Sequence, residues 1–177
     1  ADIKLTLDEL SNYIEISRTT DQIQRSTERL DRIARNNWSQ KRNELRKSIL
    51  TKKEGEAVDP ERLMLEISES LPKNAIVVEE ALLSSRQLPN LLAYRERHDF
   101  FALDSGGIGF AIAGAVGISL AQPTRPIIAI IGDGSALYGF QALWTAANQN
   151  LPITYIICNN SSYRILKERL LAFHDND

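Results

Sequence analysis

The sequence has little cysteine and no long apolar run. Cys158 is the single cysteine among 177 residues, so no disulfide can form within the chain. A lone thiol in an apolar, strand-like segment is most often a small hydrophobic residue. No run approaches the roughly 18 apolar residues that a membrane span needs, and the polar start "ADIKLTLDEL" does not resemble a signal peptide. We therefore expect a cytoplasmic protein without a membrane segment.

The chain also has no large excess of positive or negative side chains. The chain has 21 Lys and Arg residues against 23 Asp and Glu residues, which gives a net charge of -2. Binding to nucleic acid favours a basic patch, and binding to a membrane surface favours a basic amphipathic helix. The sequence therefore predicts neither nucleic acid nor a membrane as a partner.

Proline and glycine are almost missing from residues 1–57, where Gly55 is the one exception. Thr6 and Glu9 have the spacing of a capping box, which predicts a helix start at Thr6. Three apolar residues are expected on the buried side of this helix: Leu7, Leu10 and Ile14.

A second, long helix is predicted from about Thr19, and it is mostly charged. Its thin apolar stripe recurs near the helical period and consists of Ile23, Leu30, Ile33, Trp38, Leu45 and Ile49. Such a helix either lies on another domain as a linker or binds a partner, and charged helical faces are usually only solvated.

The composition changes near residue 58, and from there strands and helices alternate. Asp59 can cap a helix that begins at Pro60. The predicted strands are 75–80, 100–103, 127–131 and 153–158, and the predicted helices are 60–71, 84–93, 110–121, 137–149 and 163–173. Continuous apolar strands alternating with helices predict an α/β fold, a doubly wound parallel sheet with helices on both faces. We place the domain boundary between residues 57 and 58, so that a helical segment precedes the α/β domain.

Two polar turns follow neighbouring strands of this predicted sheet. Strand 127–131 is followed by Gly132-Asp133-Gly134, and strand 153–158 by Asn159-Asn160. Parallel strands place both turns at one edge of the sheet, where open α/β sheets bind their ligands. Carboxylate and amide oxygens suit Mg²⁺ or Ca²⁺, and glycines before a helix allow close approach to a phosphate. Gly-Asp-Gly alone is also typical of an ordinary turn; together with Asn-Asn it favours a magnesium-bound diphosphate.

At these residues the chain resembles the thiamine diphosphate-dependent enzymes. Their signature is Gly-Asp-Gly followed, after a similar interval, by Asn-Asn; here 24 residues separate Gly134 from Asn159. Within that family the segment from Ser105 to Asn160 looks most like the benzoylformate decarboxylases. The resemblance implies that residues 58–177 are a truncated C-terminal domain with the thiamine diphosphate-binding fold. It also implies that residues 1–57 are the helical tail of the preceding middle domain plus a linker.

The resemblance further implies thiamine diphosphate and Mg²⁺ as cofactors and a role for each matching residue. Metal ligands would be Asp133, the Asn160 side chain and the main-chain carbonyl of Ser162. Ile108 would hold the cofactor in its bent shape, whereas without the resemblance it reads as a core residue at a helix start. The cofactor-binding set would be Gly106, Gly107, Ile108, Asp133, Gly134, Ser135, Asn160, Ser162 and Tyr163.

The substrate end of the cofactor would lie near Leu82, Ile165, Leu166 and Arg169. Arg169 stands where benzoylformate decarboxylases carry an aromatic residue, and it either points to solvent or favours a substrate with a second anionic group.

The activity implied by the resemblance is decarboxylation of a small 2-oxo acid, which yields carbon dioxide and an aldehyde. The family's catalytic glutamate and histidines fall outside the matching region, so no catalytic residue is assigned within this chain. His98 and His174 are its two histidines, and neither lies on a motif. The enzyme is expected to be a homo-oligomer, a dimer or tetramer, with the site at a subunit interface. Two alternatives stay open: an acetolactate synthase-like carboligase and a non-catalytic phosphate- or nucleotide-binding module.

Overall fold

The chain divides into two compact units, which are Ala1–Glu44 and Leu45–Asp177. The structure is a computed structural model that describes residues 2–53, 55 and 57–174. The predicted domain boundary between residues 57 and 58 stays a prediction, while the contacts divide the two units earlier, between Glu44 and Leu45. The reason is Ile49, which is fully buried in one cluster with Met64 and Leu65 and so belongs to the core of the second unit.

The described residues form helices over much of their length and one small sheet. The helices are α1 (Ile3–Ser17), α2 (Thr20–Ala34), α3 (Trp38–Thr51), α4 (Pro60–Ser70), α5 (Leu88–Leu91), α6 (Phe110–Ala121), α7 (Asp133–Ala136), α8 (Ala142–Asn148) and α9 (Arg164–His174). The strands are β1 (Ile76–Glu80), β2 (Phe100–Ala102), β3 (Ile127–Gly132) and β4 (Ile153–Cys158). None of the helices within the described ranges combines the length and apolar character that a membrane span requires.

The first helix starts earlier than predicted. Asp2 is the N-cap of α1, and its carboxylate accepts hydrogen bonds from the backbone N–H groups of Lys4 and Leu5 at 2.9 and 3.2 Å. The predicted capping box at Thr6 is therefore wrong. Thr6 lies inside the helix, and its hydroxyl donates to the Asp2 carbonyl oxygen at 2.9 Å. An aspartate at the N-cap satisfies the free N–H groups of the first turn as well as a threonine does, so α1 begins directly after Asp2.

Three apolar residues of α1 were expected to be buried, and the structure contradicts that expectation. Leu7, Leu10 and Ile14 are 58%, 50% and 46% exposed, and neither α1 nor α2 contains a buried residue. A unit of this small size has too little apolar surface to enclose side chains completely.

The second predicted helix does begin where expected, but it is interrupted. Thr19 caps α2 in a capping box with Gln22. The chain leaves the helix after Ala34, and the side chain of Asn37 accepts a hydrogen bond from the Gln40 N–H at 3.0 Å to start α3. Asparagine competes for backbone N–H groups and so favours helix starts over helix interiors. This explains why one predicted helix is two.

All four strands of the sheet are parallel, in the order β2-β1-β3-β4. β1 pairs with β3 from Ile76↔Ile127 to Glu80↔Ile131, and β3 pairs with β4 up to Gly132↔Cys158. The carboxyl ends of these three strands therefore lie together at one edge of the sheet.

Both faces of the sheet are covered, as the continuous apolar strands predicted. The cluster on one face combines strand residues with α3, α4 and α5, and consists of Ile49, Met64, Leu65, Val77, Ala81, Leu88, Leu91, Leu92, Ile130 and Cys158. The cluster on the other face combines strand residues with α6, and consists of Ile76, Val78, Ala111, Ile112, Ala115, Ile127, Ala129 and Ile131. The doubly wound α/β fold is confirmed.

Two predicted helices are shorter than expected, and both follow the carboxyl end of a strand. The helix predicted over 84–93 is only the single turn α5, because the residues before it form turns around Leu82, whose φ is 52°. The helix predicted over 137–149 is α8 alone, preceded by α7 and a turn that contains Gly139. A Cβ at Gly139 would lie 2.8 Å from Ile112 and 3.2 Å from the Gly109 carbonyl oxygen, so this turn is packed closely against α6.

Candidate active site

The two polar turns leave the sheet side by side. Gly132 of β3 pairs with Cys158 of β4, so Asp133 and the Asn-Asn turn follow paired strand ends. A Cβ atom added at Gly134 would lie 2.8 Å from Cε1 of Tyr163. The tyrosine ring after the Asn-Asn turn therefore packs on the glycine of the Gly-Asp-Gly turn. The predicted convergence of these turns is present in the backbone, and Gly134 is required by this contact.

Asp133 is a half-buried carboxylate at this edge. It is the first residue of α7, whose N-cap is Gly132. Among the described residues it has no ion-pair partner. Partly buried carboxylates usually have a hydrogen-bond or charged partner, so an unpaired Asp133 fits a ligand position for a cation.

The Asn-Asn turn is held by its own side chains. Oδ1 of Asn159 accepts hydrogen bonds from the backbone N–H and the hydroxyl of Ser161 at 2.9 and 3.1 Å. Oδ1 of Asn160 accepts one from the Ser162 N–H at 3.0 Å. Ser161 has a φ of 51°, in the left-handed region. These bonds fix the Asn160 side chain, and its amide oxygen keeps a second lone pair for a metal.

The donor set at this edge is made of oxygen atoms. The described part of the chain contains no group of three or more His, Cys, Asp or Glu side chains that could hold a metal. A site built from Asp133, Asn160 and the Ser162 carbonyl has one carboxylate only, which suits Mg²⁺ completed by phosphate and water. The assignment of these three ligands stays a prediction.

A glycine-rich loop precedes α6 at the same edge. Gly106 and Gly107 are exposed, and a Cβ at Gly106 would meet nothing within 4 Å. Ile108 is half-buried. Gly109, the N-cap of α6, has a φ of 103°, and a Cβ there would lie 2.8 Å from the Tyr138 Cβ. The loop therefore leaves open space beside Gly106 while its last residue is tightly packed.

Glu80 is a residue of this edge that the sequence analysis missed. It ends β1 and is 0% exposed. Its two carboxylate oxygens accept hydrogen bonds from the backbone N–H groups of Gly109 and Ala111 at 2.5 and 2.6 Å. An acidic residue at the end of the apolar run "AIVVEE" was the available signal, but its partners lie far away in the sequence.

The preceding residue, Glu79, holds a different turn. Its Oε1 accepts hydrogen bonds from the N–H groups of Ala81 and Leu82 at 2.8 and 3.2 Å and from the Ser85 hydroxyl. This carboxylate stabilises the left-handed conformation of Leu82, which a bulky residue adopts only under such constraint.

Cys158 is buried between these acidic residues. Burial raises the pKa of its thiol, and the negative charges of Glu79 and Asp133 raise it further. The thiol therefore stays protonated at neutral pH, which excludes a thiolate nucleophile and agrees with its expected role as a small core residue.

The residues predicted at the substrate end have different environments. Leu82 and Ile165 are half-buried, while Leu166 is 63% exposed and Arg169 is exposed. A cavity of about 310 Å³ lies beside Asn160, and none of the four lines it. Its lining consists of Lys52, Asp59, Pro60, Glu61, Leu83, Ser84, Arg86, Gln87, Asn160, Arg164 and Glu168. The substrate-end assignment stays a prediction.

Comparisons with known proteins agree with this geometry. Residues 85–177 match the family described as "Thiamine pyrophosphate enzyme, C-terminal TPP binding domain". A benzoylformate decarboxylase of Pseudomonas aeruginosa is 40% identical over 64% of this chain and 22% of its own length. A protein of Mycobacterium tuberculosis named as an acetolactate synthase large subunit is 42% identical over 56% of this chain and 19% of its own length.

A solved structure of a thiamine diphosphate-dependent enzyme is also similar to this chain. The thiamine diphosphate-dependent 4-hydroxybenzoylformate decarboxylase of Rhodococcus jostii superposes with a TM-score of 0.66 at 34% identity, over 71% of this chain and 24% of that one. The chain spans about a fifth of the length of the two curated relatives. Its parallel sheet, its Gly-Asp-Gly and Asn-Asn turns and the family match together show that the chain belongs to the thiamine pyrophosphate enzymes. Residues 85–177 match their C-terminal domain, which binds thiamine diphosphate with Mg²⁺ as the usual metal.

Proposed function

We propose that the chain is the cofactor-binding part of a 2-oxo acid decarboxylase, similar to the benzoylformate decarboxylases, that releases carbon dioxide and an aldehyde. The observation that carries the proposal is Asp133, a half-buried carboxylate that has no ion-pair partner among the described residues and lies beside the Asn-Asn turn. The decarboxylases among the relatives support the choice of reaction.

The residues at the sheet edge fit a magnesium-bound diphosphate. Asp133, the Asn160 amide oxygen and the Ser162 carbonyl would supply three hard oxygen ligands, and phosphate oxygens and water would complete the shell. Gly134 and Ser135 would contact the diphosphate. Gly134 lacks the Cβ that would collide with Tyr163, so the backbone can lie close to the tyrosine and to an anion at once.

The organic part of the cofactor would lie along the glycine-rich loop. The backbone at Gly106 and Gly107 leaves room for the aminopyrimidine, because nothing lies within 4 Å of a Cβ built at Gly106. Ile108 would press against the cofactor and hold it bent. When bound, the cofactor supplies an electron sink for the loss of carbon dioxide from the 2-oxo acid. The chain's own contribution is to anchor, orient and desolvate the reacting end.

The substrate end is proposed to include Leu82, Ile165, Leu166 and Arg169. A guanidinium binds carboxylates well, so Arg169 would favour a substrate with a second anionic group if it faces the site. A cytoplasmic homo-oligomer with the site at a subunit interface is part of the same proposal.

A carboligase is the second candidate, because the relative named as an acetolactate synthase is 42% identical to this chain. A carboligase joins two 2-oxo acids with loss of one carbon dioxide and gives a hydroxyketo product. A decarboxylase gives an aldehyde. Product analysis of the full-length protein with benzoylformate, pyruvate and a dicarboxylic 2-oxo acid separates the two reactions.

Binding of the cofactor is tested by Asp133→Ala in the full-length protein. We expect the variant to lose magnesium-dependent binding of thiamine diphosphate, because it removes the one charged ligand. A ligand at 100 times its Kd adds about 2.7 kcal/mol of stability, so thermal denaturation with and without cofactor measures the loss. The control is Asp31→Asn, which removes an exposed carboxylate on α2.

Two results would contradict this part of the proposal. An unchanged cofactor-induced shift in Asp133→Ala would remove Asp133 from the metal site. Equal binding of ADP and thiamine diphosphate by the wild type would favour a non-catalytic nucleotide- or phosphate-binding module instead.

A further inference from the structure

Glu80 is a buried acidic side chain to which the proposed function gives no role. Its side chain is 0% exposed at the end of β1. Burial of a carboxylate is costly unless hydrogen bonds satisfy both of its oxygens. Here each oxygen has one backbone donor, Gly109 or Ala111, 29 and 31 residues further along the chain.

These two bonds tie the sheet to the glycine-rich loop at its final residue. Gly109 has a φ of 103° and packs against Tyr138, and Ala111 lies in the first turn of α6, where backbone N–H groups lack partners within the helix. No side chain caps α6 at Gly109. Glu80 supplies the missing acceptors from a neighbouring strand.

The same loop end is also in contact with the segment that follows the Gly-Asp-Gly turn. A Cβ at Gly109 would lie 2.8 Å from the Tyr138 Cβ, and a Cβ at Gly139 would lie 3.2 Å from the Gly109 carbonyl oxygen. The loop thus cannot shift without moving its neighbours, and the Glu80 carboxylate fixes it from the sheet side.

From this geometry we infer that Glu80 is a positioning residue for the cofactor's organic part: it fixes the backbone at residues 109–111 and thereby the place of Ile108, without touching the cofactor. The inference rests on the proposed function, which puts Ile108 against the bent cofactor. It assigns the diphosphate to one set of residues, at the ends of β3 and β4, and the ring system to another set that depends on Glu80.

The variant Glu80→Gln tests the inference with little change in volume. An amide keeps one acceptor but points an N–H₂ group at the other backbone N–H, which leaves a buried donor without an acceptor. Glu79→Gln is the matched control, because Glu79 is the adjacent residue and holds the turn at Leu82 instead.

Hydrogen exchange of the full-length protein without cofactor gives the first measurement. In Glu80→Gln we expect the amides of residues 109 and 111 to exchange about tenfold faster or more, while those of β3 keep their wild-type rates. Glu79→Gln should instead affect residues 81 and 82. Unchanged exchange at 109 and 111 would overturn the inference, and so would an equal increase throughout the sheet, which indicates a general loss of stability.

Ligand binding gives the second measurement. We expect Glu80→Gln to weaken binding of thiamine diphosphate with Mg²⁺ about tenfold, and to leave binding of magnesium pyrophosphate within about twofold of wild type. Equal weakening of both ligands, or of neither, would overturn the positioning role. Absence of thiamine diphosphate binding in the wild type would instead overturn the proposed function, and the exchange data would still decide whether Glu80 fixes the loop. If Glu80→Gln does not fold, Glu80→Asp, which withdraws the carboxylate by one methylene, allows the same comparisons.

Discussion

At the scale of single residues, the carboxylates of this chain have different tasks at the two edges of the sheet. Asp99 lies at the amino edge, where it accepts hydrogen bonds from the N–H groups of Arg95 and Glu96 at 2.7 and 2.8 Å. It also pairs with Arg125 at 2.6 Å. The guanidinium donates in addition to the carbonyl oxygens of Asn74 and Ala75. This network joins the segments before β1, β2 and β3, whereas Asp133 at the carboxyl edge has no ion-pair partner within the described part of the chain.

Asp99 gives a prediction for the acid stability of the fold. Burial acts to raise the pKa of this carboxyl, but the N–H groups of Arg95 and Glu96 and the charge of Arg125 outweigh it and hold the pKa below its ordinary value. Because the pKa of Asp99 is lower in the folded state, its ionisation stabilises the fold at pH values above the unfolded pKa of about 3.9. This stabilisation is lost as the pH falls through the pKa of the folded state.

We therefore expect Asp99→Asn to lower the free energy of unfolding at pH 7 by about 2 kcal/mol and to weaken its dependence on pH below about 4. Urea denaturation at pH 7 and pH 3 measures both effects, with Asp31→Asn as the exposed control. A stability difference between Asp99→Asn and wild type that is the same at both pH values would contradict the role given to the lowered pKa.

The candidate site could be predicted only where its residues lie in a recognisable local sequence pattern. Asp133 and Asn160 follow apolar strands and stand between glycines or paired asparagines, so elementary sheet geometry brings them together. Glu80 has no such pattern, because its partners at Gly109 and Ala111 are determined by how α6 returns to the sheet. A glutamate at a strand end is ordinarily assigned to solvent, and only the three-dimensional structure shows it buried.

At the scale of elements, strands were predicted more accurately than helix ends. β3 and β4 were found nearly to the residue because apolar runs between turn residues have few alternatives. The helices predicted over 84–93 and 137–149 failed at their first halves, where Glu79 accepts a hydrogen bond from the Ser85 hydroxyl and where Gly139 packs on α6. In both places side-chain contacts or packing outweigh helix propensity, which is worth less than about 1 kcal/mol for most residues.

The start of α6 supplies the prediction at this scale. Gly109→Ala should destabilise the fold by about 1–3 kcal/mol, because an alanine would be strained at a φ of 103° and its Cβ would lie 2.8 Å from the Tyr138 Cβ. Gly117→Ala is the matched control in the same helix, since nothing lies within 4 Å of its added Cβ. We expect this control to be neutral or to stabilise by up to about 1 kcal/mol. Chemical denaturation of both variants measures the change in the free energy of unfolding. An equal change in Gly109→Ala and Gly117→Ala would show that the backbone at the start of α6 is not constrained.

At the scale of the whole molecule, the chain has more apolar surface than its own fold covers. The segment after the Gly-Asp-Gly turn exposes Leu137, Tyr138, Phe140, Leu143 and Trp144 by 43–72%. Exposed apolar patches of this kind usually mark an interface. Since the chain spans about a fifth of its curated relatives, we expect the separate 177-residue chain to self-associate through such surface.

The last prediction is that this 177-residue chain alone does not decarboxylate 2-oxo acids at an appreciable rate. Its sheet edge carries Asp133 and Asn160, so the half of the site that we propose for metal and diphosphate can form. The other half is open, because Gly106 and Gly107 are exposed, and water in the site weakens every electrostatic contribution there. The resemblance also implies that the family's catalytic glutamate falls outside the matching residues. The assay is carbon dioxide release by the purified chain with saturating Mg²⁺, thiamine diphosphate and a panel of 2-oxo acids, compared with the full-length protein. Turnover equal to that of the full-length protein would mean that a group within residues 1–177 performs the activation, and the division of the site between domains would be wrong.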